Sequence, residues 1–191
     1  EVKLNDIAFN GAPAAGLVGL FSHPNIPNGN ATTGEWTAAT TSADEIVADV
    51  TQGFAAIRNA TNGVETPNAL AMPRSYYDHI AMRRLGDNAD TTVLDYLLQK
   101  CPYLNGPDSI TPYNEGESVA SLAGTPITPE PVNVYYRKDS MKLELEVPED
   151  VNFLEPERNG LEEETIVTMT TGGLNVYKPL SIYLQIMQPA A

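Results

Sequence analysis

A Ser-His-Asp triad in this 191-residue chain would have to use His23 or His79, the only histidines. His23 stands in Ser22-His23-Pro24, a loop context, and His79 follows Asp78 in a helical pattern, with no nucleophile-elbow motif elsewhere. Cys101 is the single cysteine, so intramolecular disulfides and cysteine-based zinc clusters are excluded. It precedes Pro102 at the end of an apolar helical pattern and reads as a buried structural thiol, in keeping with a reducing compartment. HExxH, Walker and GxGxxG motifs are absent. Gly86-Asp87-Asn88-Ala89-Asp90 has the outline of a calcium loop but lacks the alternating ligands and terminal Glu, so it reads as a turn before a helix cap. The 25 carboxylates offer many pairs at glycosidase spacing, but with one tryptophan, Trp36, an aromatic sugar platform is poorly supplied. Asn30-Ala31-Thr32 and Asn59-Ala60-Thr61 match the glycosylation sequon; the second falls inside a predicted helix, and both read as chance. Tyr76-Tyr77 and Tyr135-Tyr136 lack flanking basic clusters, which favours core or interface roles over base stacking. No catalytic, cofactor-binding or metal-ligating residue is assigned, which points to a structural or binding role and not to an enzyme.

Charge narrows the partners. Lys and Arg number 11 against 25 Asp and Glu, a net −14 with a pI near 4.3. Broad or sequence-specific nucleic-acid contact needs clustered cations and is not expected. Residues 139–164 hold ten acids against Lys142 and Arg158, so this stretch alone carries −8. It reads as a solvated acidic face, or as an interface requiring a basic partner or a divalent ion. Apolar runs are only a few residues long, far below the ~20 that span a bilayer, so no membrane role is expected. The chain opens on Glu1 without a charged-then-apolar leader, and an upstream part of the gene product is expected to be missing.

The elements that would position any site begin with a helix over 42–62. Ser42-Ala43-Asp44-Glu45 is a capping box, with acids in the first turn where the helix dipole favours them. Ile46, Val50, Phe54 and Ile57 follow at helical spacing, and Gly53 on the same side suggests close packing. Asn62-Gly63 supplies the stop. Upstream, 1–27 reads as an extended arm whose patch 16–21 docks on the body, and 28–41 reads as a connector. Downstream, the pattern predicts a strand at 68–72 and a helix at 74–85 with Tyr77, Ile80, Ala81 and Arg84 on one side. A third helix at 92–100, capped by Asp90 or Thr91, turns Val93, Leu94, Leu97 and Leu98 inward. A brief strand at 109–111 and a proline-rich loop at 112–131 follow. The rest is β: 132–137 paired across a turn with 141–147, then 164–171, 174–177 and 180–187. Helices first and strands after argue for α+β architecture.

Four local features, in this order, carry a family resemblance: Gly19-Leu20-Phe21-Ser22-His23-Pro24-Asn25-Ile26-Pro27; the helix over 42–62 leading to Leu70-Ala71-Met72-Pro73; Val134-Tyr135-Tyr136-Arg137-Lys138-Asp139 with Leu143-Glu144-Leu145-Glu146-Val147-Pro148; and Thr171-Gly172-Gly173-Leu174-Asn175-Val176-Tyr177-Lys178-Pro179. The chain resembles the major capsid proteins of tailed phages with the Hong Kong-phage-type fold, in a branch close to encapsulins. The resemblance implies a long spine helix at 42–62, mixed and antiparallel sheets, a peripheral domain from 1–63 and 139–175, and an axial domain from 64–138 and 176–191. It further implies a virion shell subunit that self-associates into hexameric and pentameric capsomers in a bacterial host cytoplasm, contacts other virion proteins and needs no cofactor. Only a tail, about residues 1–15, matches the family's N-terminal arm and extended loop. Alternatives are an encapsulin-like nanocompartment shell or a non-shell phage or bacterial binding domain. If the resemblance holds, Phe54 and Ile57 pack against the late β segment.

Overall fold

Ser42 starts the long helix as its sequence demands; upstream, residues 8–10 are helical, where an extended arm was expected. In the computed structural model, which describes residues 8–12, 16–86, 89–122, 125–146, 149–154, 157–159, 162–165, 167–170 and 172–187, helix α1 spans Ala43–Ala60. Glu45 N–H donates to Ser42 Oγ at 3.3 Å and Ser42 N–H donates to Glu45 Oε2 at 2.6 Å, the reciprocal capping box. At the other end Asn62 and Gly63 both take positive φ, 51° and 81°, and Gly63 N–H closes on Arg58 O at 2.7 Å. The 18 helical residues run ~27 Å. Ile46, Val50, Phe54 and Ile57 are all fully buried, each contributing about 1.5–3 kcal/mol.

The strands are β1 (Gly11–Ala12), β2 (Leu17–Val18), β3 (Asn28–Asn30), β4 (Ala69–Pro73), β5 (Ile110–Tyr113), β6 (Val119–Leu122), β7 (Thr125–Glu130) and β8 (Val132–Tyr136). They continue with β9 (Leu143–Glu146), β10 (Glu149–Phe153), β11 (Glu157–Asn159), β12 (Glu162–Glu164), β13 (Val167–Thr170), β14 (Gly173–Val176) and β15 (Ile182–Ile186). Helices α2 (Arg74–Met82) and α3 (Val93–Lys100) lie between β4 and β5, and short 3-10 turns at Pro107–Ser109 and Pro179–Ser181 lead into β5 and β15. The central sheet has the order β3-β15-β8-β4-β5, with β3/β15 and β4/β5 parallel and the inner pairs antiparallel. It is an α+β fold with mixed and antiparallel sheets.

Alternation along β8 divides its side chains between two layers. Tyr135 belongs to the core that contains α1, with Leu70, Met72 and Ile110. Val132 and Val134 belong to a second core with Ile182, Leu184 and Ile186, covered by Leu20 and Phe21 of the arm and by the β6–β7 hairpin. The arm patch therefore docks as expected. Phe54 meets Tyr135 edge-on at 5.0 Å and stacks on Tyr103 at 5.0 Å. Phe54 and Ile57 are buried as the resemblance required, Phe54 against Tyr135 of β8.

Several boundaries differ from the sequence reading. Residues 112–131 are largely strand, not loop. Pro112 lies on the edge strand β5 and Pro126 and Pro129 in the two-stranded β6–β7 hairpin, where a missing N–H is tolerated, while Pro131 joins β7 to β8. Residues 28–30 form an edge strand and not a connector, because the parallel edge of β15 needs a partner. Strand β8 does not pair with β9: both edges of β8 are taken by β15 and β4, and β9 pairs with β14 instead. Helix α2 stops at Met82, since Arg83 is extended and donates to Thr41 O while Arg84 bridges Thr92. Its buried side is Tyr76 and Ile80, with Arg84 exposed. The cap of α3 is Thr92, whose Oγ accepts from Asp95 N–H at 3.1 Å. Of the turn 86–90, residues 87 and 88 lie outside the described residues, as do 147, 166 and 171 of the predicted strands and 1–7 and 13–15 of the expected arm.

Gly53 faces the ring of Tyr135, which would overlap any Cβ placed there. Tyr135 cannot retreat easily, being fully buried with its hydroxyl donating to Gln185 Oε1 at 2.7 Å. Gly53→Ala gains up to ~1 kcal/mol of helix propensity but overpacks the core at a cost of about 1–3 kcal/mol. We expect a net loss, read as a lower Tm in thermal unfolding, and an unchanged or raised Tm would contradict this packing.

Candidate assembly surface

The chemistry-bearing residues are scattered. His23 accepts from Asn25 N–H at 3.2 Å in an exposed turn, and burial lowers its pKa. His79 lies 3.2 Å from Arg83; burial, then the Arg83 charge, lowers its pKa. Cys101 is half-buried against the main core, and burial pushes its thiol up, away from the reactive thiolate. No group of three or more His, Cys, Asp or Glu among the described residues could hold a metal ion. No helix of the described residues is long and apolar enough to cross a membrane.

What the fold does bring together are two carboxylates that sequence reading passed over. Asp49 is buried on the sheet-facing side of α1. Its Oδ1 accepts from Thr32 N–H at 3.0 Å and Thr33 N–H at 3.3 Å, and its Oδ2 from Trp36 Nε1–H at 3.0 Å. Its main-chain oxygen accepts from Gln185 Nε2–H at 3.1 Å, tying α1 to β15. The signal was present: Asp49 lies three residues after Ile46, inside the apolar stripe, where a charge must find partners. Trp36 is accordingly a fully buried anchor that tilts over Tyr76 with centroids 5.5 Å apart.

Glu65 is the second. The positive-φ turn at Asn62 and Gly63 carries the chain off α1, and Glu65 N–H donates to Thr61 Oγ1 at 3.2 Å. Three cations then converge on its buried carboxylate: Lys142 Nζ at 2.7 Å and Lys178 Nζ at 3.5 Å from Oε1, and Arg137 at 3.7 Å from Oε2. Arg137 also lies 3.8 Å from Asp139. Lys142 lies just before β9 and Lys178 just beyond β14, antiparallel strands whose ends are joined where Tyr177 N–H donates to Lys142 O at 3.0 Å, and Arg137 follows β8. Beside them opens a groove of about 440 Å³ lined by Thr61, Val64, Lys178, Pro179 and Leu180. Val64 is 77% and Leu180 49% exposed, apolar surface left open next to a basic cluster.

The Lys142 hydrogen bond, opposed by burial and helped by the charges of Lys142, Lys178 and Arg137, holds the Glu65 carboxyl below the usual carboxylate range. A lowered folded-state pKa adds stability above the unfolded value of ~4.3, which is lost as pH falls through the folded value. Glu65→Gln is expected to lower Tm by a few degrees at pH 7, with the gap to wild type closing below about pH 4. Thermal melts across pH 3–7 check this, and a gap that does not change with pH would contradict it.

The surface so described belongs to a recognisable fold. The structure superposes on the capsid of Myoviridae phage XM1 with a TM-score of 0.78 at 15% identity, covering 96% of this chain and 59% of that one. It also resembles a virus-like particle from Pyrococcus furiosus, with a TM-score of 0.58 at 14% identity, covering 87% of this chain and 58% of that one. The chain thus spans about three fifths of the length of these solved chains. No curated protein matches it in sequence. The profile of the major capsid proteins matches residues 1–185, nearly the whole chain, and the fold is theirs. This chain belongs to the major capsid protein family.

Proposed function

We propose that the chain is the structural subunit of a phage or prophage icosahedral shell enclosing double-stranded DNA. The family match across residues 1–185 carries this reading, and the layered α+β fold supports it. In this role the protein self-associates into hexameric and pentameric capsomers and meets other virion proteins, after assembly in the bacterial host cytoplasm. The role is structural and not enzymatic. It involves no sequence-specific nucleic-acid binding and no membrane: a net charge of −14 opposes close phosphate contact, so the genome is confined and not gripped.

Within the shell we assign 1–63 and 139–175 to a peripheral unit and 64–138 and 176–191 to an axial unit at the capsomer centre. Helix α1, the candidate spine, lies on β8 and β15 of the axial unit, so the boundary between the units crosses one shared core. The likeness to the Pyrococcus furiosus virus-like particle supports a second reading, an encapsulin-like nanocompartment. Negative-stain microscopy of the full gene product tests both. Icosahedral particles or capsomers are expected, with nuclease-protected DNA inside for the capsid and protein cargo for the nanocompartment. Discrete monomers at high concentration would overturn the shell role.

A further inference from the structure

Five Asn-Gly pairs occur in this chain: Asn10-Gly11, Asn28-Gly29, Asn62-Gly63, Asn105-Gly106 and Asn159-Gly160. In such a pair the main-chain nitrogen of the glycine can attack the side-chain carbonyl of the asparagine, because no Cβ on the glycine hinders the approach. The reaction needs that nitrogen free of a hydrogen bond and the carboxamide free to turn. The fold ties down three of the pairs. Gly63 N–H closes the end of α1 on Arg58 O at 2.7 Å. Gly29 lies in the β3–β15 ladder, between the bond from Leu184 N–H to Pro27 O at 3.0 Å and that from Ala31 N–H to Ile186 O at 2.8 Å. Gly11 pairs with Val18, and its nitrogen is packed so closely on Gly19 that a Cβ on Gly19 would sit 2.1 Å from it. Asn159-Gly160 lies partly outside the described residues.

Asn105-Gly106 is the exception. It stands in the link between α3 and β5, and Asn105 is exposed. Among the described residues neither the Asn105 carboxamide nor the Gly106 N–H makes a hydrogen bond. Gly106 takes φ 99° and has open space on its Cβ side. The chain on either side is fixed: Leu104 is buried and its N–H donates to Cys101 O at 3.2 Å, while Ser109 donates to Gly106 O through its N–H at 3.1 Å and its hydroxyl at 2.5 Å. We propose that Asn105 is a site of self-modification, at which the Gly106 nitrogen converts the asparagine to aspartate and isoaspartate. Solvent base takes the Gly106 amide proton and the nitrogen attacks Asn105 Cγ. The bond from Cγ to the side-chain nitrogen breaks, and ammonia leaves. Water then opens the cyclic imide at either carbonyl. Both products add a carboxylate close to Asp108 in a chain of net −14. Isoaspartate also routes the main chain through the side-chain carbon, which displaces Gly106 O from Ser109 at the entrance to β5. The reaction uses only this chain and water, so it holds whether or not the chain builds a shell.

Incubation of the folded chain at mildly alkaline pH, followed by peptide mapping with fragment-level mass assignment and isoaspartate detection, tests this. Conversion at Asn105 is expected to run about tenfold or more faster than at Asn10, Asn28 or Asn62, whose pairs react only through local opening. In denaturant these differences should shrink, since all the pairs then share one flexible environment. Asn105→Ser, at an exposed position, should remove most of the acidic drift that the wild-type chain develops on isoelectric focusing. Equal rates at these pairs in the folded chain, conversion led by any of them other than Asn105, or an undiminished drift in Asn105→Ser would overturn the proposal. So would the same ranking in denaturant as in the folded chain, which would trace the preference to local sequence and not to the fold.

Discussion

The seat of α1 on the central sheet is the constraint on which the rest depends. One turn of that helix faces three ways at once. The Asp49 carboxylate holds the 32–36 segment through two main-chain amides and the Trp36 indole. Its main-chain oxygen takes the Gln185 amide of β15, and Gln185 in turn accepts the hydroxyl of Tyr135 on β8. Four residues further along, the bare face of Gly53 gives the Tyr135 ring its place. Burying a carboxylate without a cation costs heavily unless its lone pairs are filled, and here three donors fill them. The outcome is directional: the helix cannot slide or rotate on the sheet without orphaning a buried charge or striking an aromatic ring. Apolar stripes alone tolerate such slippage; this combination does not.

A second theme is the division of charge. The chain concentrates carboxylates in residues 139–164 and gathers Arg137, Lys142 and Lys178 around Glu65. Copies of such a chain repel one another on average, so any stable contact must match specific opposite surfaces and will weaken as salt screens them. Repulsion everywhere except at matched surfaces opposes misplaced contacts between copies.

Legibility in the sequence followed locality. The capping box at Ser42 and Glu45, the Asn62-Gly63 stop and the apolar stripe of α1 all act within a few residues, and each lies where the pattern put it. Strand pairing depends on partners far away in the chain. The alternation in 143–147 resembled a hairpin with 132–137, yet β8 is buried on both faces with both edges taken, while β9 keeps one polar face and pairs across with β14. Prolines concealed β5 and β7, because a proline on an edge or in a two-stranded pair loses no ladder bond. The stop of α2 at Met82 was invisible for a related reason: Arg83 leaves the helix to reach Thr41, forty-two residues earlier.

By itself, then, the sequence determined the local chemistry: where α1 starts and stops, which of its faces is apolar, the excess of carboxylate and the order of motifs that resembles the major capsid proteins. These are properties of neighbours in the chain, governed by capping, periodicity and composition. Only the tertiary structure decided that Asp49 anchors the connector, that Gly53 serves Tyr135, and that Glu65 gathers Arg137, Lys142 and Lys178 beside an apolar groove. Those are meetings across 72 to 113 residues of chain in the last case. Burial makes them matter, because removing water is what turns an ordinary acid into a charge that must be paired.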